Sequence, residues 1–236
     1  MTPNPRLFAV LALSLAAVSC THLKPTQARV WERNHQTFRA DPKWKGKAFV
    51  NEEVEALLTP ETVSIKISLA EQRGLLLYQG EHVAIDFPVS TGRKAFATKP
   101  GDYNVIDKQL DHRSNLYGNY LDATTNKVIQ ADVDTTQDKK PEGAIFEGSH
   151  MPYFMRLTGA GLGMHIGKVP GYPASHGCIR VPGGIMPRIY KHSPMRTAVT
   201  VMPESFGFPE PPPELKAKVE AQLKAEQQKK EVASTR

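Results

Sequence analysis

Cysteine is nearly absent: the 236 residues hold only Cys20 and Cys178. No CxxC pair or Cys/His cluster occurs, so the four protein ligands of a closed zinc site cannot be assembled around one local thiol. No metal and no cofactor is therefore expected. A membrane-spanning run is also missing. The apolar stretch Leu7 to Val18 is 12 residues, against the roughly 20 that cross a bilayer. Nucleic-acid-binding motifs are lacking too, and no nucleic-acid partner is expected. The net charge of +6 and a pI near 9.2 suit an anionic surface of another kind.

What the N-terminus does hold is an address. Arg6 precedes the short apolar run, the pattern of a secretory signal peptide over residues 1–19. Ala17-Val18-Ser19-Cys20 places small residues before a cysteine and resembles a bacterial lipoprotein cleavage site. On that resemblance Cys20 is lipidated and carries a membrane anchor, and Thr21 at the next position favours the outer membrane. The chain is then exported and periplasmic. Two other readings stay open: a plain secreted chain in which Cys20 is removed or incidental, and a Cys20–Cys178 disulfide. A lipidated Cys20 leaves Cys178 as an unpaired thiol in an exported protein, and such a thiol is a candidate for reactivity.

The body divides by pattern. Residues 20–61 mix charge, proline and scattered aromatics (Trp31, Phe38, Trp44, Phe49) with no clear period, a linker or a collar packed on the β-rich body. Asn51 is placed to cap a short helix over 51–58. From Ser64, Ile65, Ile67 and Leu69 alternate with polar residues, the period of two of a half-buried strand. Residues 75–89 read as a hairpin turning at Gln79-Gly80-Glu81, followed by strands over 103–106 and 197–202. A short helix over 183–190 requires Pro187 in its first turn. Short strands separated by turns predict a mostly β domain, a sandwich or barrel, with short helices. Residues 107–144 are polar and poorly periodic, which reads as a functional loop, a lid or disorder. After a stiff proline-rich spacer, residues 214–230 carry Glu–Lys pairs at i, i+4 and only a Leu215, Val219, Leu223 stripe. They read as a charged, solvated helix or a partner-binding one.

The chemistry concentrates in 18 residues, Gly163 to Arg180. They supply a thiol (Cys178), two candidate bases (His165 and His176), glycines for close backbone approach (Gly167 and Gly177 among them) and an always-charged fork (Arg180). A buried structural thiol is the plain alternative for Cys178, since free cysteine is often buried.

His165, nine intervening residues and Ser175-His176-Gly177-Cys178-Ile179-Arg180 resemble the signature of the L,D-transpeptidase catalytic (YkuD-type) domain. Val89-Ser90-Thr91-Gly92 and Thr98-Lys99-Pro100-Gly101-Asp102-Tyr103 resemble two further segments of that family. The resemblance covers residues 62–203, with 204–236 outside it as spacer and tail. It implies a β-rich fold with Cys178 as nucleophile and His165 as general base, its second ring nitrogen held by a downstream backbone carbonyl. His176 and Ser175 support the loop, and the Gly177 and Cys178 N–H groups form an oxyanion hole. Arg180 and Gly167 face substrate, Arg180 either binding a carboxylate or holding the pocket together. The implied partner is a peptidoglycan stem tetrapeptide, which loses D-Ala to leave a thioester. That thioester passes to an amine of a neighbouring stem, to a lysine of an envelope protein, or to water. Carbapenem-type β-lactams should acylate Cys178. A hydrolase on the same scaffold and a non-catalytic peptidoglycan tether remain open.

Overall fold

The computed structural model describes residues 25–234. The signal peptide and Cys20 expected from the sequence lie outside them. The chain opens with α1 (Pro25–Arg39), a 3-10 turn at Trp44–Gly46, β1 (Phe49–Val50) and α2 (Glu52–Glu55). There follow β2 (Val63–Ser68), β3 (Arg73–Tyr78), β4 (His82–Pro88), β5 (Gly101–Asn104) and β6 (Asp107–Gln109). Next come β7 (Arg113–Asp122), β8 (Val128–Asp134), β9 (Ala144–His150), β10 (Phe154–Arg156), β11 (Gly163–Ile166) and β12 (Ile179–Val181). The order closes with α3 (Met186–His192), β13 (Ala198–Met202) and α4 (Pro213–Ser234).

The expected β architecture is present as three sheets. One has six strands in the order β1-β4-β3-β2-β13-β5, one has four in the order β12-β11-β10-β6, and a third is β8-β7-β9. The alternation read along residues 64–69 puts Ile65 and Ile67 into the core, where they meet Leu76, Ile85 and Phe87 from the same sheet. Met155, Met164, Ile179 and Val181 of the four-stranded sheet, with Met186 and Ile189 of α3, belong to the same cluster. Leu75-Leu76-Leu77 runs without alternation because β3 is covered on both sides. Leu76 joins the main core, while Leu75 and Leu77 pack with Val83 beneath Phe49, Phe206 and Phe208. Residues beyond the closing strand therefore help to seal the sheet.

The segment before β2 is a collar. Its helix α1 went unseen in the sequence because only Trp31 and His35 are buried on it, too sparse a stripe to show a period. His35 Nε2 lies 2.8 Å from Asp86 Oδ2, and the buried Arg73 donates through Nε to Asp86 Oδ1 at 2.8 Å. The Arg73 fork also donates to the carbonyls of Lys45 and Lys47 at 2.9 and 2.8 Å. Burial of this kind of charge is tolerable only with such saturated pairing. Helix α2 is shorter than expected, but Asn51 caps it, its side-chain oxygen accepting from the Val54 N–H at 3.3 Å. In α3, Pro187 sits in the first turn as required.

Two expectations are corrected. Residues 107–144 are not a loop: they form β6, β7 and β8, and β7 pairs with both β8 and β9. Register shifts at Gly118/Tyr120 and Tyr120/Leu121 break the period of two, as each bulge moves later side chains to the opposite face. The sheet has a small core of its own, Tyr120, Val133 and Ala144 with Phe146, so most of its residues stay polar. Helix α4 is not wholly solvated either. Val219 is buried and Leu215 and Leu223 are half-buried, where α4 touches α1.

Candidate active site

β11 and β12 run parallel with His165 opposite Arg180 and Met164 opposite Ile179. Parallel neighbours stand about 4.8 Å apart and cross-strand partners share a face. The base and the guanidinium therefore enter the site side by side, and Cys178 arrives one residue before β12 begins.

The loop between the strands is clipped to the end of β4. Ser90 exchanges both backbone hydrogen bonds with Arg180, at 3.0 and 2.9 Å. The Ala174 and Ser175 N–H groups both donate to the Thr91 carbonyl. Gln72 secures Thr91 in turn, donating to its hydroxyl at 2.8 Å and accepting its N–H at 3.0 Å. Within the loop Ser175 Oγ donates to the Cys178 carbonyl and accepts the Gly177 N–H at 3.1 Å. Thr98 Oγ1 accepts the Gly92 N–H at 2.8 Å and donates to the Gly177 carbonyl at 2.6 Å. Gly177 has φ +116°, a conformation closed to residues with a Cβ. The serine and the glycine of the Ser-His-Gly-Cys order thus answer to the loop's geometry. One consequence departs from expectation: the Gly177 N–H is already taken by Ser175, so Cys178 N–H is the donor left for an oxyanion.

His165 is buried, and its Nδ1–H donates to the Ile166 carbonyl at 2.8 Å. A carbonyl can only accept, so this bond fixes the neutral tautomer with Nε2 as the free base. Burial lowers the imidazole pKa to about 4; the Ile166 bond opposes this, while the Arg180 and His112 charges add to it. Cys178 is half-buried, and its thiol donates to the Gly161 carbonyl at 3.5 Å. Burial raises its pKa, against the Gly163 N–H and the Arg180 and Arg156 charges. Both partners are consequently neutral at rest.

His176 is engaged elsewhere. Its Nε2 accepts from Arg93 Nη2 at 2.7 Å and lies 3.3 Å from Asp132 Oδ1. Its ring stacks on Tyr117 at 4.4 Å and meets the edge of Phe96 at 4.7 Å. Burial and the Arg93 charge lower its pKa. His176 therefore couples the thiol loop to the three-stranded sheet, through Tyr117 of β7 and Asp132 of β8.

Cys178 sits between two hollows. A cleft of about 400 Å³ runs past Phe96, Lys99, Tyr117, Arg156 and Leu162 to the thiol. A cavity of about 60 Å³ holds Cys178 together with His165 and Arg180. Tyr117 and His176 line both. Arg180 takes no ion-pair partner within 4 Å among the described residues, and burial lowers its pKa. Gly167 lies against its stem: a Cβ there would fall 2.8 Å from Arg180 Cγ and 2.9 Å from Cδ. Among the described residues no group of three or more His, Cys, Asp or Glu is placed to hold a metal ion.

The structure brings Cys178, His165, His176, Ser175, Gly177, Arg180 and Gly167 together here. Sequence reasoning missed Tyr117, Arg93, Asp132 and Arg156. None belongs to the thiol motif, and the strand pattern that would have placed Tyr117 and Asp132 is the one the bulges interrupt.

The family described as the L,D-transpeptidase catalytic domain, YkuD, matches residues 62–201. No curated protein matches the sequence. Among solved structures, an L,D-transpeptidase from Stackebrandtia nassauensis is similar at 17% identity and TM-score 0.45, over 64% of this chain and 60% of that one. One from Mycobacterium smegmatis is similar at 16% identity and TM-score 0.45, over 60% of this chain and 58% of that one. One from Xylanimonas cellulosilytica is similar at 21% identity and TM-score 0.41, over 59% and 60%. The chain thus spans about 60% of the length of the solved structures it resembles.

Proposed function

The chain belongs to the L,D-transpeptidase catalytic domain (YkuD) family, and on that premise we propose that it is a cysteine-dependent acyltransferase acting on peptidoglycan stem tetrapeptides. The observation that carries this reading is the cavity shared by Cys178, a tautomer-fixed His165 and an Arg180 without a carboxylate partner. Such a set supplies nucleophile, base and anion clamp within one cavity.

In this reading Cys178 Sγ attacks the carbonyl of the third stem residue. The thiol proton passes to His165 Nε2, and the C–N bond breaks as that proton is delivered to the D-Ala amine. The oxyanion takes the Cys178 N–H. Tyr117 supports it: the residue lines both hollows, and burial together with the charge of Asp134 raises its pKa, keeping it a donor. An incoming amine then reverses the sequence, returning its proton through His165 to sulfur. Water in its place gives a carboxypeptidase, or an endopeptidase where a crosslink is the donor. Placement in the periplasm on a lipidated Cys20 completes the proposal and accords with a cell-wall substrate.

The test is mass spectrometry of muropeptides incubated with the protein and with Cys178→Ala. Tetrapeptides and crosslinked dimers are supplied separately. Loss of D-Ala with new dimers is the expected result. Tripeptide alone means hydrolysis, and cleaved dimers mean an endopeptidase. Processing that persists in Cys178→Ala overturns the thiol mechanism.

A further inference from the structure

An amine acceptor must shed two protons. In neutral water an alkylamine is an ammonium, which loses one proton before it can attack and another as the amide forms. His165 accounts for the second, passing it to sulfur. The first must go to another base. A peptide has room only in the main cleft, about 400 Å³ against about 60 Å³ for the smaller cavity. Among the described residues that wall this cleft there is no Asp or Glu, and the groups able to take a proton near neutrality are His112 and His176. His176 Nε2 already accepts from Arg93 at 2.7 Å, which leaves its proton on Nδ1. His112 remains.

Its tautomer is set by a chain of side chains. The Asp107 carboxylate only accepts, so it takes the Gln109 Nε2–H at 2.7 Å and turns the oxygen of that amide toward His112. His112 Nδ1 therefore donates to Gln109 Oε1 at 2.6 Å, and the lone pair stands on Nε2. No described residue hydrogen-bonds that nitrogen. The ring stacks on Phe154 at 4.3 Å, and Phe154 lies 6.4 Å from the ring of His165. The two imidazoles share one phenylalanine, and a charge on His112 is felt at His165. Phe154 stands opposite Gln109 in the register of β10 and β6, so one strand pairing builds both the stack and the orienting amide. Burial lowers the His112 pKa, the Arg156 charge adds to this and Asp107 opposes it. The neighbouring charges Asp111 and Arg113 are paired with His150 at 2.7 Å and Glu147 at 3.7 Å.

We propose that His112 is the base that takes the ammonium proton of the incoming amine, a second general base for the transfer half of the reaction. The claim rests on the acyltransferase reading and deepens it. The ammonium gives one proton to His112 Nε2, and the neutral amine attacks the Cys178 thioester. The C–S bond breaks as a second amine proton reaches sulfur through His165. The His112 imidazolium then returns its proton to solvent. Amine transfer thus uses two imidazoles with fixed tautomers, whereas water, which carries no ammonium proton, uses one.

The experiment lets two acceptors compete for one thioester, so that the acylation step cancels. The protein receives a tetrapeptide, at once donor and alkylammonium acceptor, together with hydroxylamine, which is largely unprotonated above neutral pH and needs no base. Mass spectrometry reads the ratio of dimer to hydroxamate. With the proton moving inside the complex, the wild-type ratio is expected to change by less than about threefold between about pH 7 and pH 9. A ratio that climbs about tenfold per pH unit, following the free amine in solution, overturns the assignment. His112→Gln should lower the ratio at pH 7 by about tenfold or more and restore the climb with pH. Gln109→Leu, which keeps the imidazole but frees its tautomer, should shift the ratio the same way. A folded His112→Gln whose ratio stays within about threefold of the wild type at pH 7 also overturns it. The wild-type profile decides even if the variants do not fold. Failure of the parent reading looks different: no dimer forms at any pH.

Discussion

The buried His165 makes stability fall with acid by an amount that can be isolated. In the folded protein its pKa lies near 4, whereas an unfolded histidine titrates near 6.5. Between these values the unfolded chain binds a proton that the folded chain refuses. Stability from this group is therefore complete above pH 6.5 and is lost as pH drops toward 4. Each pH unit is worth about 1.4 kcal/mol, so at pH 4.5 the loss due to His165 is about 2.5 kcal/mol. Burial also lowers the pKa of His112, His176 and His192, so the wild type falls by more than this. His165→Gln keeps a donor for the Ile166 carbonyl and removes only the titration. Urea unfolding at pH 7.5 and pH 4.5 on both proteins gives two differences, and the variant's should be smaller by about 2.5 kcal/mol. Equal differences, to within about 0.5 kcal/mol, would refute the claim that burial holds this imidazole neutral.

The same neutral pair sets the reactivity of the free thiol. Cys178 should react with iodoacetamide at pH 7 more slowly than a simple thiol, and its alkylation should rise only above the ordinary cysteine range, as followed by intact mass across a pH series. Gly177→Ala forces φ +116° on a residue with a Cβ. It should cost about 1–3 kcal/mol in urea unfolding and at least about tenfold in single-turnover acylation, because Ser175 and Thr98 both hold this peptide.

Legibility in the sequence followed the regularity of the environment. β2, β3, β4 and β13 were readable because one large core imposes a steady period or a continuous apolar run on them, as Ile65, Ile67 and Leu75 to Leu77 show. The thiol loop was readable through its chemistry, since Gly177 at positive φ and the clipped Ser175 tolerate few other residues. Other features answered to contacts that sequence does not record. Helix α1 is fixed by His35 meeting Asp86, 51 residues away. The sheet of β7, β8 and β9 has a core of four residues, and its bulges erase the period that would have announced it. Tyr117, Asp132 and Arg156 acquire meaning only once that sheet and β10 are set beside the thiol loop. The occupied Gly177 N–H shows the same limit at atomic scale: the motif names the residue, but only the Ser175 hydroxyl decides which amide remains free.

The arrangement ties activation to substrate. A thiolate standing ready at rest would be the species that oxidises and exchanges with disulfides. Here burial holds the proton on sulfur, and the same burial leaves His165 unprotonated and able to take it. Proton transfer alone would create a buried ion pair with little to offset its desolvation. An acyl carbon changes that balance, because attack moves the negative charge from sulfur to an oxygen facing the Cys178 N–H. In the proposed reaction the acyl donor thereby offsets the cost of charging the pair, and a burial that would cripple a general-purpose thiol suits one that reacts only with a bound donor.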